Sequence, residues 1–255
     1  MQTRQPLSIT LITYNEEARV RDALESVRWA DEIVVIDSFS SDATVDICRE
    51  FTDCVYRMPW TDYVTQKNIA TGKTTHEWVL NIDADERVSP ELAQDIQDAL
   101  RQPPCVNGYY MPRMTHYLGD WIRHCGWYPD AKLRLFRKDS GRWVGQALHE
   151  KLEVRGATAT FRHPLHHYSY RDISDHVQRM DGYTTIAAEH KHRPVGAGDI
   201  FGRTVFTFFK KYVLKQGFRD GTRGLIISLL SAFTVALKYS KAWERQLNPQ
   251  ENEKP

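Results

Sequence analysis

No CxxC pair occurs in these 255 residues, and the four cysteines, Cys48, Cys54, Cys105 and Cys125, fall at no zinc-binding spacing. A zinc scaffold is thereby set aside, and a reducing, cytosolic setting is the expectation. Charge of one sign is also in short supply. Lys and Arg number 34 against 33 Asp and Glu, a net charge of +1, so no nucleic-acid partner is expected. No uncharged apolar run reaches the ~18 residues of a membrane span. The opening stretch MQTRQPLSITLITYNEE holds no signal-peptide h-region. There is no internal repeat and no low-complexity tract. What is present is 41% hydrophobic residues, enough for one sizeable core or a domain with an appendage.

The first hundred residues alternate between two periods. LSITLI (Leu7–Ile12) and EIVVID (Glu32–Asp37) are short, branched and apolar, as buried parallel strands are. Between them Val20, Ala23, Leu24 and Val27 mark one face of a helix, with Asn15 expected as its N-cap. Val45, Ile47, Cys48 and Phe51 suggest a second helix, and CVYRM and WVLNI two more strands. Ser89 as N-cap and Pro90 at N1 open a further helix, with Leu92, Ile96, Ala99 and Leu100 inward. Such alternation predicts an α/β fold with a parallel sheet flanked by helices. From about Gly108 the texture changes. GYYMPRM, KLRLFR, ATATF and LHHYSY read as short strands, and Ile173 to about His190 as a helix. His192–Asp199 reads as a linker. We therefore expect a catalytic domain over residues 1–191 and a basic, amphipathic helical extension over 192–255.

Ligands of open parallel sheets bind beyond the carboxyl ends of the strands. Three polar clusters end strands here: TYNEE, DSFSSDAT and DADE. No GxGxxG follows the first strand and no Walker sequence occurs, so dinucleotide and P-loop readings lose their main support. The crowding of Asp83, Asp85 and Glu86 behind WVLNI implies either a solvated turn or positive charge that holds them. An EF-hand does not supply it, because Arg87, Val88 and Gln94 stand where that loop needs other residues. A phosphate-bridging divalent ion, Mg²⁺ or Mn²⁺, fits better.

These segments, in this order and spacing, resemble the family-2 inverting glycosyltransferases of the GT-A, nucleotide-sugar-binding, Rossmann-like fold. More narrowly they resemble the lipopolysaccharide-core β-glucosyltransferase branch. The resemblance runs from LSITLITYNEE through VVIDSFSSDATVDIC, QKN, WVLNIDADERVSPEL, KLRLFR, ALHE and HYSY into KKYVLKQGFRDGTRGLIISLLSAFTVALKYSKAWE, nearly the whole chain. It implies transfer of a sugar, glucose from UDP-glucose, to a lipid-linked saccharide acceptor in the lipopolysaccharide inner core. It places Thr13, Asn15, Glu16 and Asp37 in the nucleotide pocket. Lys67 of QKN stands where relatives carry an Arg, near diphosphate or base; a solvated helix face is the alternative. Asp83 and Asp85 match the DxD pair, with Asp85 as the direct metal ligand and Asp83 at ribose or metal-bound water. Glu86 is expected to support the site or the acceptor.

An inverting transfer also needs a general base. Glu150 of ALHEKLEV is that candidate, with Asp130 in reserve and a strand-edge ion pair as the competing reading. His149 and His167 are candidate diphosphate or metal contacts. His163, His166 and His167 lack a second ligand cluster, and satisfied strand histidines are the simpler reading of the three. Trp121, Trp127 and Tyr128 suit either sugar stacking or local core. A sugar nucleotidyltransferase would need a Gly-rich loop that TYNEEARV does not contain; a non-catalytic nucleotide-sugar-binding protein would not need the DxD pair. Other lipid-linked or protein acceptors stay open.

The tail is basic. Between Arg203 and Arg245 nine Lys or Arg face only Asp220 and Glu244. Aromatic residues interleave, followed by LIISLLSAFTVAL, a 13-residue run too short to cross a bilayer. An interfacial helix pair on an anionic membrane surface is expected, peripheral on the cytoplasmic face of the inner membrane. A helical hairpin packed within the protein is the alternative.

Overall fold

The computed structural model describes residues 4–103, 105–145, 150–189, 191 and 193–247. The chain forms two compact units, Met1–Arg113 with Asp130–His167, and Met114–Pro129 with Tyr168–Pro255.

The first unit opens with β1 (Leu7–Thr13), α1 (Val20–Ser26), β2 (Glu32–Asp37), α2 (Thr44–Arg49) and β3 (Val55–Arg57). It continues through α3 (Tyr63–Lys73), β4 (Trp78–Asn81), β5 (Glu86–Val88), α4 (Pro90–Arg101) and β6 (Gly108–Tyr117). The end of β6 belongs to the second unit, where β7 (Asp120–Trp121) pairs with it. Back in the first unit lie β8 (Asp130–Arg137), β9 (Gly141–Val144), β10 (Lys151–Val154), β11 (Thr158–Thr160) and β12 (Leu165–His167). The main sheet has the order β3-β2-β1-β4-β8-β6-β12-β5.

The parallel sheet expected from the strand–helix alternation is present as its first four strands. β1 pairs with β2 from Ser8↔Glu32 to Thr13↔Asp37, and with β4 from Leu7↔Trp78 to Thr10↔Asn81. Beyond β4 the direction reverses: β8 runs antiparallel to both β4 and β6. Leu7, Ile9 and Leu11 are fully buried, packed with Val20 and Leu24 of α1 and with Leu92, Ile96 and Leu100 of α4. Each such side chain contributes about 1.5–3 kcal/mol of burial. Ser89 caps α4 as expected, its hydroxyl accepting from the Leu92 amide at 3.2 Å. Asn15 does not cap α1. The helix begins only at Val20, and Asn15 sits at φ +52°. That left-handed geometry suits Asn, and its Oδ1 accepts instead from the Ser41 amide at 2.9 Å in the loop after β2. One tight polar turn thus closes over the ends of β1 and β2.

The second unit is helical: α5 (Ile173–Glu189), α6 (Ala197–Phe209), a π-turn at Lys210–Leu214, a 3₁₀ turn at Gly217–Asp220, and α7 (Gly221–Leu247). The expected linker is shorter than its composition suggests, because α6 starts at Ala197 with Gly196 as N-cap. α7 packs against α5 and α6, with Ala188, Val195, Tyr239 and Ala242 forming a small core. Gly224 meets the 3₁₀ turn so closely that a Cβ there would stand 1.8 Å from the Gly217 carbonyl oxygen. Its 13-residue apolar run lies inside a 27-residue helix. By length and composition this helix is able to cross a membrane, so the shortness of the run does not exclude spanning.

Candidate active site

The carboxyl ends of β1, β2 and β4 bring Thr13, Asp37 and Asn81 to one edge of the sheet. Asp37 is fully buried. It accepts from the Thr13 hydroxyl at 3.2 Å, from the Ser40 amide at 2.9 Å and from the Ser40 hydroxyl, with Arg57 at 3.6 Å. The amides of Asn15 and Glu16 donate to Ser40 Oγ at 2.9 Å and Thr44 Oγ1 at 2.8 Å. The four residues expected around a nucleotide therefore form one connected turn cluster. The Ser38 hydroxyl beside them is buried and without a hydrogen-bond partner among the described residues.

Behind β4 the chain turns through Asp83, Ala84 and Asp85 into β5. Two of the three crowded carboxylates, Asp83 and Glu86, are held by the protein's own cations. Asp83 places Oδ1 3.1 Å from Lys67 Nζ and Oδ2 2.6 Å from Arg134 Nη2. Glu86 is fully buried; its Oε1 lies 2.7 Å from Arg134 and 3.4 Å from Arg113, while Oε2 accepts from the Asp83 amide at 3.0 Å. Burial alone would raise the Asp83 pKa, but the charges of Arg134 and Lys67 reverse this and hold it well below the usual carboxylate range. Burial likewise lowers the pKa of Arg134, and Asp83 and Glu86 overcome it, so the guanidinium stays charged. Glu86 thus braces the turn from inside.

Asp85 is different. Among the described residues no Lys or Arg reaches it; the side chain beside it is His167, with Nε2 3.4 Å from Oδ2. The antiparallel pairing of β12 with β5 sets this up, because His167 lies opposite Glu86. His163 pairs instead with Asp95 at 2.8 Å.

α3 supplies the remaining cation. Asp62 caps it, accepting from the Thr65 amide at 2.8 Å. Gln66 and Lys67 are buried, which removes the solvated-face reading of QKN. Lys67 Nζ also lies 3.5 Å from Glu150 Oε1 and 4.5 Å from the centre of the Trp143 ring. Glu150, directly before β10, thus carries an ion pair of the kind the competing reading expected, and shares its ammonium with Asp83. Asp130 is bound to Arg113 at 2.7 Å and Lys132 at 3.0 Å. His149 lies outside the described residues. Trp121 packs edge-on against His116 and Tyr168 in the second unit, and Trp127 against Tyr117.

Sequence reasoning missed Arg113, Arg134 and Trp143. For Arg134 a signal existed. In LRLF the Arg alternates with Leu133 and Leu135 on a central strand, so it points to a face that is itself covered, and a buried Arg requires carboxylates.

A parallel half-sheet carrying these polar ends, continued by antiparallel strands and a DxD turn, defines a glycosyltransferase of the GT-A fold. The chain belongs to glycosyl transferase family 2, whose model matches residues 8–152. It is 27% identical to the lipopolysaccharide core biosynthesis glycosyltransferase LpsC of Rhizobium meliloti, over 96% of this chain and 94% of that protein. Among solved structures, residues 1–349 of S. aureus TarS match with a TM-score of 0.48 at 14% identity, covering 96% of this chain and 92% of that one. TarS has also been crystallised with UDP-GlcNAc. The glucosyl-3-phosphoglycerate synthase of Mycobacterium tuberculosis, crystallised with Mn²⁺, UDP-glucose and phosphoglyceric acid, matches at TM-score 0.36 and 20% identity over 44% of each chain.

Proposed function

We propose that this glycosyltransferase is an inverting enzyme that moves glucose from UDP-glucose to a lipid-linked saccharide of the lipopolysaccharide core. The acceptor class rests on the likeness to LpsC and the donor on the sequence resemblance. One observation carries the catalytic reading: Glu150 and the DxD residue Asp83, from distant parts of the chain, converge on Lys67. In this reading Glu150 takes the proton of the acceptor hydroxyl as that oxygen attacks the anomeric carbon from the face opposite the diphosphate. Thr13, Asn15, Glu16 and Asp37 shape the nucleotide pocket.

The residues present fit a divalent ion. Asp85 is the turn carboxylate without a Lys or Arg against it among the described residues, and His167 stands beside it. Both oxygens of Asp83 already meet protein cations, so its part is to orient the turn. Among the described residues no cluster of three or more ligands exists, but Mg²⁺ or Mn²⁺ needs only one or two carboxylates when diphosphate oxygens and water complete its shell. When bound, the ion would offset charge on the departing nucleoside diphosphate.

A screen of nucleotide sugars, following released nucleoside diphosphate, tests donor and metal together. We expect UDP-glucose turnover that excess chelator abolishes and Mn²⁺ or Mg²⁺ restores; full activity in chelator rules the ion out. Glu150→Gln should lower kcat by about 10²–10⁴-fold with the donor still bound. Normal turnover by this variant would transfer the role to Asp130.

The second unit supports a peripheral membrane role on the cytoplasmic face. Phe201, Val205 and Phe209 form an exposed stripe at helical spacing on α6, and Leu229, Phe233, Trp243 and Leu247 another on α7. Lys210, Lys215 and Arg219 are exposed close by in sequence. An anionic leaflet matches both kinds of side chain.

A further inference from the structure

Lys67 is 2% exposed, and a buried ammonium must be paired. Its surroundings are two carboxylates and a ring face: Asp83 at 3.1 Å, Glu150 at 3.5 Å and Trp143 at 4.5 Å. The two carboxylates do not depend on it equally. Asp83 keeps Arg134 at 2.6 Å if Lys67 is lost. Glu150 has no other Lys or Arg against it among the described residues. The ammonium is therefore the charge that ties Glu150 to the donor-side turn.

The next residue fastens the same segment by a separate route. Asn68 Nδ2 donates to the Trp143 carbonyl at 2.9 Å, and its Oδ1 accepts from the Trp143 amide at 3.1 Å. The side chain thereby docks on β9 as a neighbouring strand would. β9 pairs with β10 through Val144↔Lys151 and Trp143↔Leu152, and Lys151 directly follows Glu150. Adjacent helical residues point in different directions, so α3 reaches Glu150 once through charge and once through main chain.

We propose that Lys67 and Asn68 are positioning residues that hold the base Glu150 in register with Asp83, instead of a nucleotide-binding pair. This rests on the assignment of Glu150 as base. Lys67 draws the Glu150 carboxylate toward the donor side, and Asn68 sets the height of the β9–β10 hairpin. A base misplaced by about 1 Å costs on the order of 10²-fold in rate, while a nucleotide held by other residues binds as before.

The test uses the full chain and four variants: Lys67→Met, Asn68→Ala, Glu150→Gln and the double variant Lys67→Met/Glu150→Gln. It reads kcat, donor KM and the affinity for UDP by calorimetry, with thermal melts to confirm folding. We expect Lys67→Met and Asn68→Ala each to lower kcat by about 10–100-fold, with UDP affinity within about threefold of the parent. The double variant should be no slower than Glu150→Gln alone, because the support has no function once the base is gone. UDP affinity falling in step with kcat would return Lys67 to the nucleotide pocket and overturn the proposal, as would additive losses in the double variant. A slow Glu150→Gln beside normal Lys67→Met and Asn68→Ala overturns the positioning alone. A fully active Glu150→Gln overturns the base assignment and the positioning with it. Should Lys67→Met not fold, Asn68→Ala decides by the same kcat and UDP readings.

Discussion

Among single side chains, Arg134 shows how the carboxylate turn is tolerated. The sequence suggests that a metal ion must neutralise Asp83, Asp85 and Glu86 together; the structure divides the labour. Lys67, Arg113 and Arg134 take Asp83 and Glu86, and Asp85 keeps His167 beside it, with no Lys or Arg against it among the described residues. Removing one member of a buried ionic network costs about 3–5 kcal/mol, because its partners remain desolvated. Arg134→Met should therefore lower the free energy of unfolding by an amount of that order, read as a lower denaturant midpoint. An unchanged midpoint would mean that Asp83 and Glu86 find other partners. Arg134 was legible in principle, as a charged residue between two core leucines. Its partners were not, because the Asp83 pairing joins strands more than fifty positions apart and depends on β8 running antiparallel to β4.

Among elements, local chemistry predicts best where a segment decides its own structure. β2 matches its expected span, and α4 has its expected cap and inward face, because burial and capping are both written within a dozen residues. Asn15 fails as a cap because its partner, Ser41, lies on another loop. α5 carries a pair that no periodicity could show. His176 is buried on it, with Nδ1 2.9 Å from the Tyr117 hydroxyl and its ring stacked 4.1 Å from Tyr170. Burial lowers its pKa, a shift that Asp175 opposes and Arg179 reinforces. The unfolded chain then binds a proton near pH 6.5 that the folded chain refuses. Stability from this residue is present above about pH 6.5 and is lost as pH falls from there toward the depressed folded value. The urea midpoint should drop between pH 7.5 and 5.5, and His176→Gln should shrink that drop. Equal drops in both proteins would show that His176 does not contribute.

For the whole molecule, α7 bears on how a membrane role is tested. Because it packs with α5 and α6, deleting the tail would strip that unit of its core, so exposed-face substitutions are the better probe. Phe201→Ser with Val205→Ser and Phe209→Ser should reduce co-sedimentation with anionic vesicles and leave the melting temperature nearly unchanged. Retained binding would show that this face is not the membrane contact. The same layout gives ionic strength a selective effect. Mobile ions screen exposed charges over about 8–10 Å but scarcely enter a buried pair. Lys210, Lys215 and Arg219 meet water, whereas Lys67 and Arg134 do not. Salt should thus loosen the hold on vesicles while kcat on a water-soluble acceptor analogue stays flat, so that one solution variable separates where the enzyme sits from what it does.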